Sequence, residues 1–379
     1  MKSFVLLWKP STGWSSLPDE FGAVSLVLCF ADRLFFAAEA PVLGGLRDRF
    51  PKALFGACST AGEISGATVS DASATALVIS FRSTQVKGVC LPLEDGLGSE
   101  GIGKQLAMEL TAPALRHVLV LSDGLFVNGT QLAAGISAAL PEGVCATGGL
   151  AGDGSRFQET AVGLGTDFGA KRVVGIGFYG PDFRVGFGSQ GGWQAFGPKR
   201  LITRSTGNVL YELDGQPALP LYKRYLGERA SGLPATGLLF PLQLIPQSAE
   251  DQGLVRTILA VDEQAQSLTF AGDVPEGSYA RLMKAGCDAL VDGAAQAAHS
   301  AVQAGVFGQS AAILVSCVGR KLVMGQRVED ETDAVLHCLG ANISVAGFYS
   351  YGELCPTGSG KDCELHNQTM TLTLFSEVP

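Results

Sequence analysis

Three stretches of the chain share a design that could do chemistry: Gly56-Ala-Cys58-Ser59-Thr60-Ala-Gly62-Glu63-Ile64, Gly149-Leu-Ala-Gly152-Asp153 and Gly347-Phe-Tyr-Ser350-Tyr351-Gly352-Glu353-Leu354. Each reads as a strand running into small or hydroxyl residues, then a glycine followed directly by an acid. Glycine lets the backbone turn with positive φ and bring amides toward a ligand, and the acid can hold a cation or ammonium at the same mouth. Thr60, Glu63, Asp153, Tyr351 and Glu353 are therefore candidate ligand-binding residues. The competing use of each acid is to cap a helix or satisfy turn amides; three recurrences in one chain weigh toward a ligand.

Arg256 and Arg320 follow apolar strands, where a planar guanidinium suits bidentate capture of a carboxylate, with pairing to Glu63, Asp153 or Glu353 as the alternative. Arg320, Tyr351 and Glu353 are expected to line one pocket suited to a zwitterion. Cys317, Cys338, Cys355 and Cys363 fall in the last quarter of the chain and could hold an iron–sulfur centre or zinc, although no Cys-x-x-Cys pair is present. Of the four histidines, His366 stands directly before Asn367-Gln-Thr369 at the start of a terminal strand. Its imidazole could be an axial haem ligand, or could bond nearby loop carbonyls. Gly98 to Lys104 has P-loop spacing, but Gln105 replaces the hydroxyl needed for Mg²⁺. Gly186 to Gly191 matches a dinucleotide glycine pattern, yet no helix should begin after it. With no Gly-x-Ser-x-Gly elbow and no partner for Cys58 nearby in sequence, an enzyme is not expected.

The elements that must carry these residues belong to an α/β chain, or α+β, with extensive mixed sheet flanked by helices. Short β-rich runs (Val24 to Phe30, Thr75 to Phe81, Val118 to Leu121, Thr160 to Leu164, Val173 to Phe178, Phe183 to Phe187) alternate with helical patterns at Ala40 to Arg49, Ile102 to Leu110 and Gln131 to Leu140. The glycines and proline of Gly191 to Pro198 suggest a boundary, giving regions 1–195 and 196–379. Beyond it come a hairpin (Leu254 to Val261 with Ser267 to Ala271), a long helix from Tyr279 to about Gln303, a strand at Ala312 to Ser316 and a helix at Glu329 to Leu339. Ser122, Asp153 and Thr160 match Ser316, Glu353 and Thr369 in order, which points to internal duplication.

Composition sets outer bounds. The chain has 379 residues, 46% of them hydrophobic, enough for more than one core. Its net charge of -9 supplies no basic excess for phosphates, so nucleic acid is not an expected partner. Nine cysteines, an odd number lying partly in apolar runs, read as reduced thiols. No signal-peptide core follows Lys2, and no stretch approaches the ~20 uncharged residues of a membrane span, so a cytoplasmic protein is expected.

Gly56 to Ile64, Gly148 to Asp153, Asn208 to Tyr222, Leu254-Val-Arg256, Ser316-Cys-Val-Gly-Arg320, Gly347 to Leu354 and His366-Asn-Gln-Thr369 together resemble the FIST family, and they run in order over nearly the whole length. The resemblance implies N- and C-terminal FIST regions forming a sensory protein for a small ligand such as an amino acid, and adds Asn367 to the candidate binding residues. Some FIST proteins resemble haem-linked nitric-oxide sensors, which makes a haem or iron–sulfur redox sensor the alternative. The sequence carries no kinase, methyl-accepting or diguanylate cyclase region. A separately encoded partner, such as a histidine kinase or a cyclic-dinucleotide enzyme, is thus the expected output.

Overall fold

Leu26–Ala31, Leu115–Ser122 and Ser310–Cys317 are runs of mainly apolar residues, and each becomes a strand buried along nearly its whole length. Such strands need cover on both faces. Alternation divides their side chains: Leu26, Leu28, Phe30, Leu119, Leu121, Ile313 and Val315 share one central core, whereas Val27, Cys29, Val118, Val120, Ala312 and Leu314 point to outer layers closed by helices. The computed structural model describes residues 1–18, 21–37, 41–93, 96–248, 253–303, 310–340, 342–357 and 362–378.

The three strands are equivalent members of three repeated units. The first unit is β1 (Lys2–Lys9), β2 (Gly13–Trp14), β3 (Leu26–Ala31), α1 (Pro41–Arg49), β4 (Leu54–Ser59), the hairpin β5 (Glu63–Ser65) and β6 (Thr68–Ser70), and β7 (Ala74–Ser80). The second is β8 (Gln85–Pro92), α2 (Gly98–Leu110), β9 (Leu115–Ser122), α3 (Gly129–Ala139), β10 (Cys145–Leu150), the hairpin β11 (Val162–Leu164) and β12 (Asp167–Gly169), and β13 (Arg172–Tyr179). The third opens with β14 (Phe183–Gln190) and is then interrupted by an insertion. That insertion holds β15 (Gln194–Thr206), β16 (Val209–Leu213), β17 (Gln216–Pro217), α4 (Ala218–Leu226), β18 (Leu242–Ile245), β19 (Leu254–Arg256), β20 (Ile258–Asp262), β21 (Ser267–Phe270) and β22 (Tyr279–Lys284). The unit resumes with α5 (Cys287–Gln303), β23 (Ser310–Cys317), α6 (Val318–Met324), α7 (Glu329–Leu339), β24 (Ile343–Ser350), the hairpin β25 (Gly352–Pro356) and β26 (Cys363–His366), and β27 (Met370–Glu377).

Each unit builds a mixed sheet around one parallel pair, β3/β4, β9/β10 or β23/β24, with β7, β13 or β27 antiparallel beside it. Each unit then sends its hairpin away. β5–β6 extend the sheet of β24, β25–β26 extend that of β10, and β11–β12 extend that of β4, so the exchange closes in a ring. The recurrence expected between two parts of the chain thus extends to a third. Asp153 and Glu353 do follow equivalent strands; Thr369, however, precedes β27, and the residue before the equivalent strand β13 is Lys171, not Thr160.

The insertion makes its own sheet, in the order β19-β18-β22-β15-β16-β21-β20, over a core that includes Leu210, Leu219, Tyr222, Leu244 and Phe270. It leaves the body at the glycine-rich stretch expected to separate 1–195 from 196–379. We keep that division as a proposal about the sequence; in space, hairpins from both sides of it cross into shared sheets. Two element expectations are corrected. Tyr279–Lys284 is a strand, with Ala280 and Leu282 turned into the insertion's core, and the helix starts at Cys287 after Gly286. Leu254–Arg256 pairs with β18, so the expected hairpin is confined to β20 and β21. The first helix begins at Pro41; Ala40 lies outside the described residues.

Candidate functional site

The three glycine–acid turns lie at equivalent places and meet one another. Ala61 N donates to Tyr349 O at 2.7 Å, Tyr351 N to Leu150 O at 3.1 Å and Gly152 N to Ser59 O at 3.0 Å, so each turn is tied to the strand end of the next unit. Gly62 takes φ +139°, a backbone conformation that residues with a side chain rarely adopt, which is why this turn needs glycine. The acids are 2%, 1% and 0% exposed for Glu63, Asp153 and Glu353, and each is answered from within the fold. Glu63 accepts from Thr60 Oγ1, and from Ser73 N and Oγ at 3.1 and 2.7 Å. Glu353 accepts from Ser350 Oγ at 2.6 Å and from Thr369 N and Oγ1 at 3.2 and 3.0 Å. Asp153 accepts from Tyr351 Oη and from the amides of Phe157, Gln158 and Glu159.

Burial pushes Glu63 up to about 7 and Glu353 up to about 8, against the hydrogen bonds that favour their ionised forms. Burial also opposes ionisation of Asp153, but the Tyr351 hydroxyl and three amides hold its carboxyl below the usual range. Thr60, Glu63, Asp153, Tyr351 and Glu353 are therefore brought together as a buried joint between units.

Arg320 is fully buried and does not pair with Glu353. Its Nε and Nη2 donate to Glu331 Oε2 at 2.9 and 2.7 Å, and Nη2 also donates to Leu290 O. Nη1 reaches Gly191 O and, at 3.4 Å, Gln368 O. The other Glu331 oxygen accepts from Ser316 Oγ and Tyr349 Oη. The pocket expected from Arg320, Tyr351 and Glu353 is thus replaced by two closed networks, because a nearer carboxylate, on α7, meets the guanidinium.

The cysteines expected to hold a metal are dispersed. Cys317 ends β23, Cys338 lies on α7 with Sγ 3.5 Å from His299 Nε2, and Cys355 and Cys363 are buried on the β25–β26 hairpin. His366 Nε2 lies 3.0 Å from Cys355 O, and burial lowers the imidazole's pKa. Among the described residues no group of three or more His, Cys, Asp or Glu is placed to hold a metal ion. This donor set does not fit an iron–sulfur centre or zinc.

What opens to the outside is a cleft of about 940 Å³ between the body and the insertion. Trp193, Gln243, Met283, His366, Asn367 and Thr369 are on its walls. The turn His366-Asn367-Gln368-Thr369 sits between β26 and β27, with Gln368 at φ +65°. Gln368 O accepts from Trp193 Nε1 at 2.8 Å, and Gln368 Nε2 donates to Leu238 O in the insertion at 2.9 Å. Asn367, 1% exposed, has neither Oδ1 nor Nδ2 hydrogen-bonded. A buried amide with both ends idle is costly and rare. Of the expected binding residues, Asn367 lines this cleft, and Arg256 lines a smaller cavity beside it. Sequence reading missed Trp193, Gln243 and Met283; a tryptophan between two glycines and a strand was the available signal.

The model for the FIST N domain matches residues 25–216 and that for the FIST C domain matches residues 218–356. No curated relative matches the sequence. Among solved structures, a chorismatase crystal structure is similar over 99% of this chain and 98% of its own, at 11% identity and a TM-score of 0.34. Among the described residues no helix is long and apolar enough to cross a membrane.

Proposed function

The chain belongs to the FIST family, whose domains are sensory and implicated in signal transduction and small-ligand binding, and from that premise we propose that it senses a small polar metabolite, such as an amino acid, in the cleft between body and insertion. The idle amide of Asn367 carries this reading, because it offers a ligand an NH2 group and a carbonyl oxygen already stripped of water. Trp193 and Met283 supply apolar and aromatic contact, and Thr369, held by Glu353, supplies a hydroxyl. A ligand spanning the cleft touches both bodies. Gln368 connects the same turn to Leu238, so the angle between insertion and body is the quantity that binding would change and that a separately encoded output protein would read.

A thermal-shift screen with amino acids and related metabolites tests the reading, since a ligand bound only by the folded state must raise the melting temperature. A hit is expected to change Trp193 fluorescence and to lose at least tenfold in affinity in Asn367→Ala. A saturating panel without a shift, or one whose hits are all indifferent to Asn367→Ala, would reject the cleft.

A further inference from the structure

A second cavity, of about 450 Å³, opens between α3, β19 and β26. Leu254 lies between it and the cleft and lines both. Arg256 lines this cavity and is only 3% exposed. Its Nη1 donates to Leu365 O at 2.8 Å, Nε is buried without a partner, and no carboxylate among the described residues lies within the 4.0 Å of an ion pair. Arg320, equally buried, shows how this protein normally treats such a group: Glu331 meets it at 2.7 Å. A guanidinium taken from water without a counter-ion is costly. Burial lowers Arg256 to about 10, leaving it charged at neutral pH. Asp273 and Glu364 are close enough to favour that charge, but both are engaged elsewhere, Asp273 by Asn128 Nδ2 at 2.7 Å and Glu364 by Thr357 Oγ1.

We propose that this cavity is a second binding site, for the carboxylate of a small organic monoacid, with Arg256 as its anchor. The planar fork of the guanidinium matches a carboxylate. Glu364 and Asp362, which also line the cavity, repel a second negative charge and favour a ligand whose far end carries hydrogen-bond donors. The site does not depend on the cleft's ligand, since Asn367 is not part of it.

The test is a thermal-shift titration with sodium acetate, sodium lactate and sodium phosphate, each balanced with sodium chloride to constant ionic strength. It uses the full chain as wild type, Arg256→Gln, Ala134→Phe and Asn367→Ala. Ala134 is exposed on α3 at the cavity wall, so phenylalanine there fills the space with the guanidinium left in place. Lactate and, more weakly, acetate are expected to raise the melting temperature of the wild type and of Asn367→Ala, growing with the logarithm of concentration. Ala134→Phe and Arg256→Gln are expected to lose the response, and phosphate to match chloride. Should Arg256→Gln fail to fold, Ala134→Phe decides alone. The site is overturned by a response that survives Ala134→Phe, by one that disappears in Asn367→Ala, by phosphate equal to lactate, or by no response to lactate in the wild type.

Discussion

Two turns of this molecule share a backbone and differ in what they do with it. In the first unit Ser70 pairs with Glu63 across the hairpin, Ala72 takes φ +51°, and Ser73 caps Glu63; in the third, His366 pairs with Glu353, Gln368 takes φ +65°, and Thr369 caps Glu353. Between the pairing residue and the left-handed residue stands Asp71 in one case and Asn367 in the other. Asp71 is 73% exposed and is met by the ammonium of Lys321, whereas Asn367 is buried with its amide unmet at a cleft. The scaffold is thus common property, and the two side chains at the turn decide whether it ends in a surface ion pair or in a place for a ligand.

The largest effect is expected where the third turn is anchored from below. Arg320 holds Gln368 O and is itself neutralised by Glu331, all out of contact with water. Arg320→Ala leaves Glu331 as an unpaired buried charge, and a loss of about 3–5 kcal/mol in urea unfolding is expected. Replacing the corresponding anchor of the first turn, Lys321→Ala, breaks a half-exposed pair and should cost about 1 kcal/mol or less. Equal losses would mean that the two turns are held in the same way.

The shared acids give the comparison a pH signature. Glu63 and Glu353 are raised from 4.5 to about 7 and about 8, so the folded state keeps protons that the unfolded chain has released. Stability from these groups is fully present below about 4.5 and is lost as pH rises through 7 for Glu63 and 8 for Glu353, by at most about 1.4 kcal/mol per pH unit for each. His117, buried neutral with its pKa lowered to about 3, acts oppositely, and its contribution fades below 6.5. Chemical denaturation from pH 5 to 9 is expected to show a limb that falls from pH 5 to about 8 and is level above it; Glu353→Gln flattens it up to about 8 and Glu63→Gln only up to about 7. A limb unchanged in both variants would show that the carboxyls are ionised in the fold.

Much of this was legible in the sequence, and the missing part has a physical cause. The glycine–acid design is visible three times because a turn that must pack against its neighbour's strand end tolerates few residues. What answers the acids is not legible, because Ser73 and Thr369 lie 10 and 16 residues further on, beyond hairpins whose path sequence does not reveal. Glu331 was hidden in Glu329-Asp330-Glu331, an acidic run that looks like a solvated helix start. Asn367 was nominated from its motif. That its amide is idle shows only in the assembled fold, where it is buried near Gly352.

The smallest expected change in stability carries the sharpest distinction between the turns. Asn367→Ala removes an amide that makes no hydrogen bond, so the usual penalty for breaking one is absent; what is lost is a little packing near Gly352, whose added Cβ would lie 3.5 Å from Nδ2. Relief of the stranded polar atoms works the other way. The two terms should leave the unliganded protein within about 0.5 kcal/mol of wild type, while the thermal shift induced by a ligand of the cleft disappears. Asp71→Ala is also expected to cost little, about 1 kcal/mol at most, for the different reason that its ion pair is exposed, and to leave that ligand-induced shift intact. A loss above about 2 kcal/mol in Asn367→Ala would mean that ordered water already satisfies the amide and that the third turn, like the first, is purely structural.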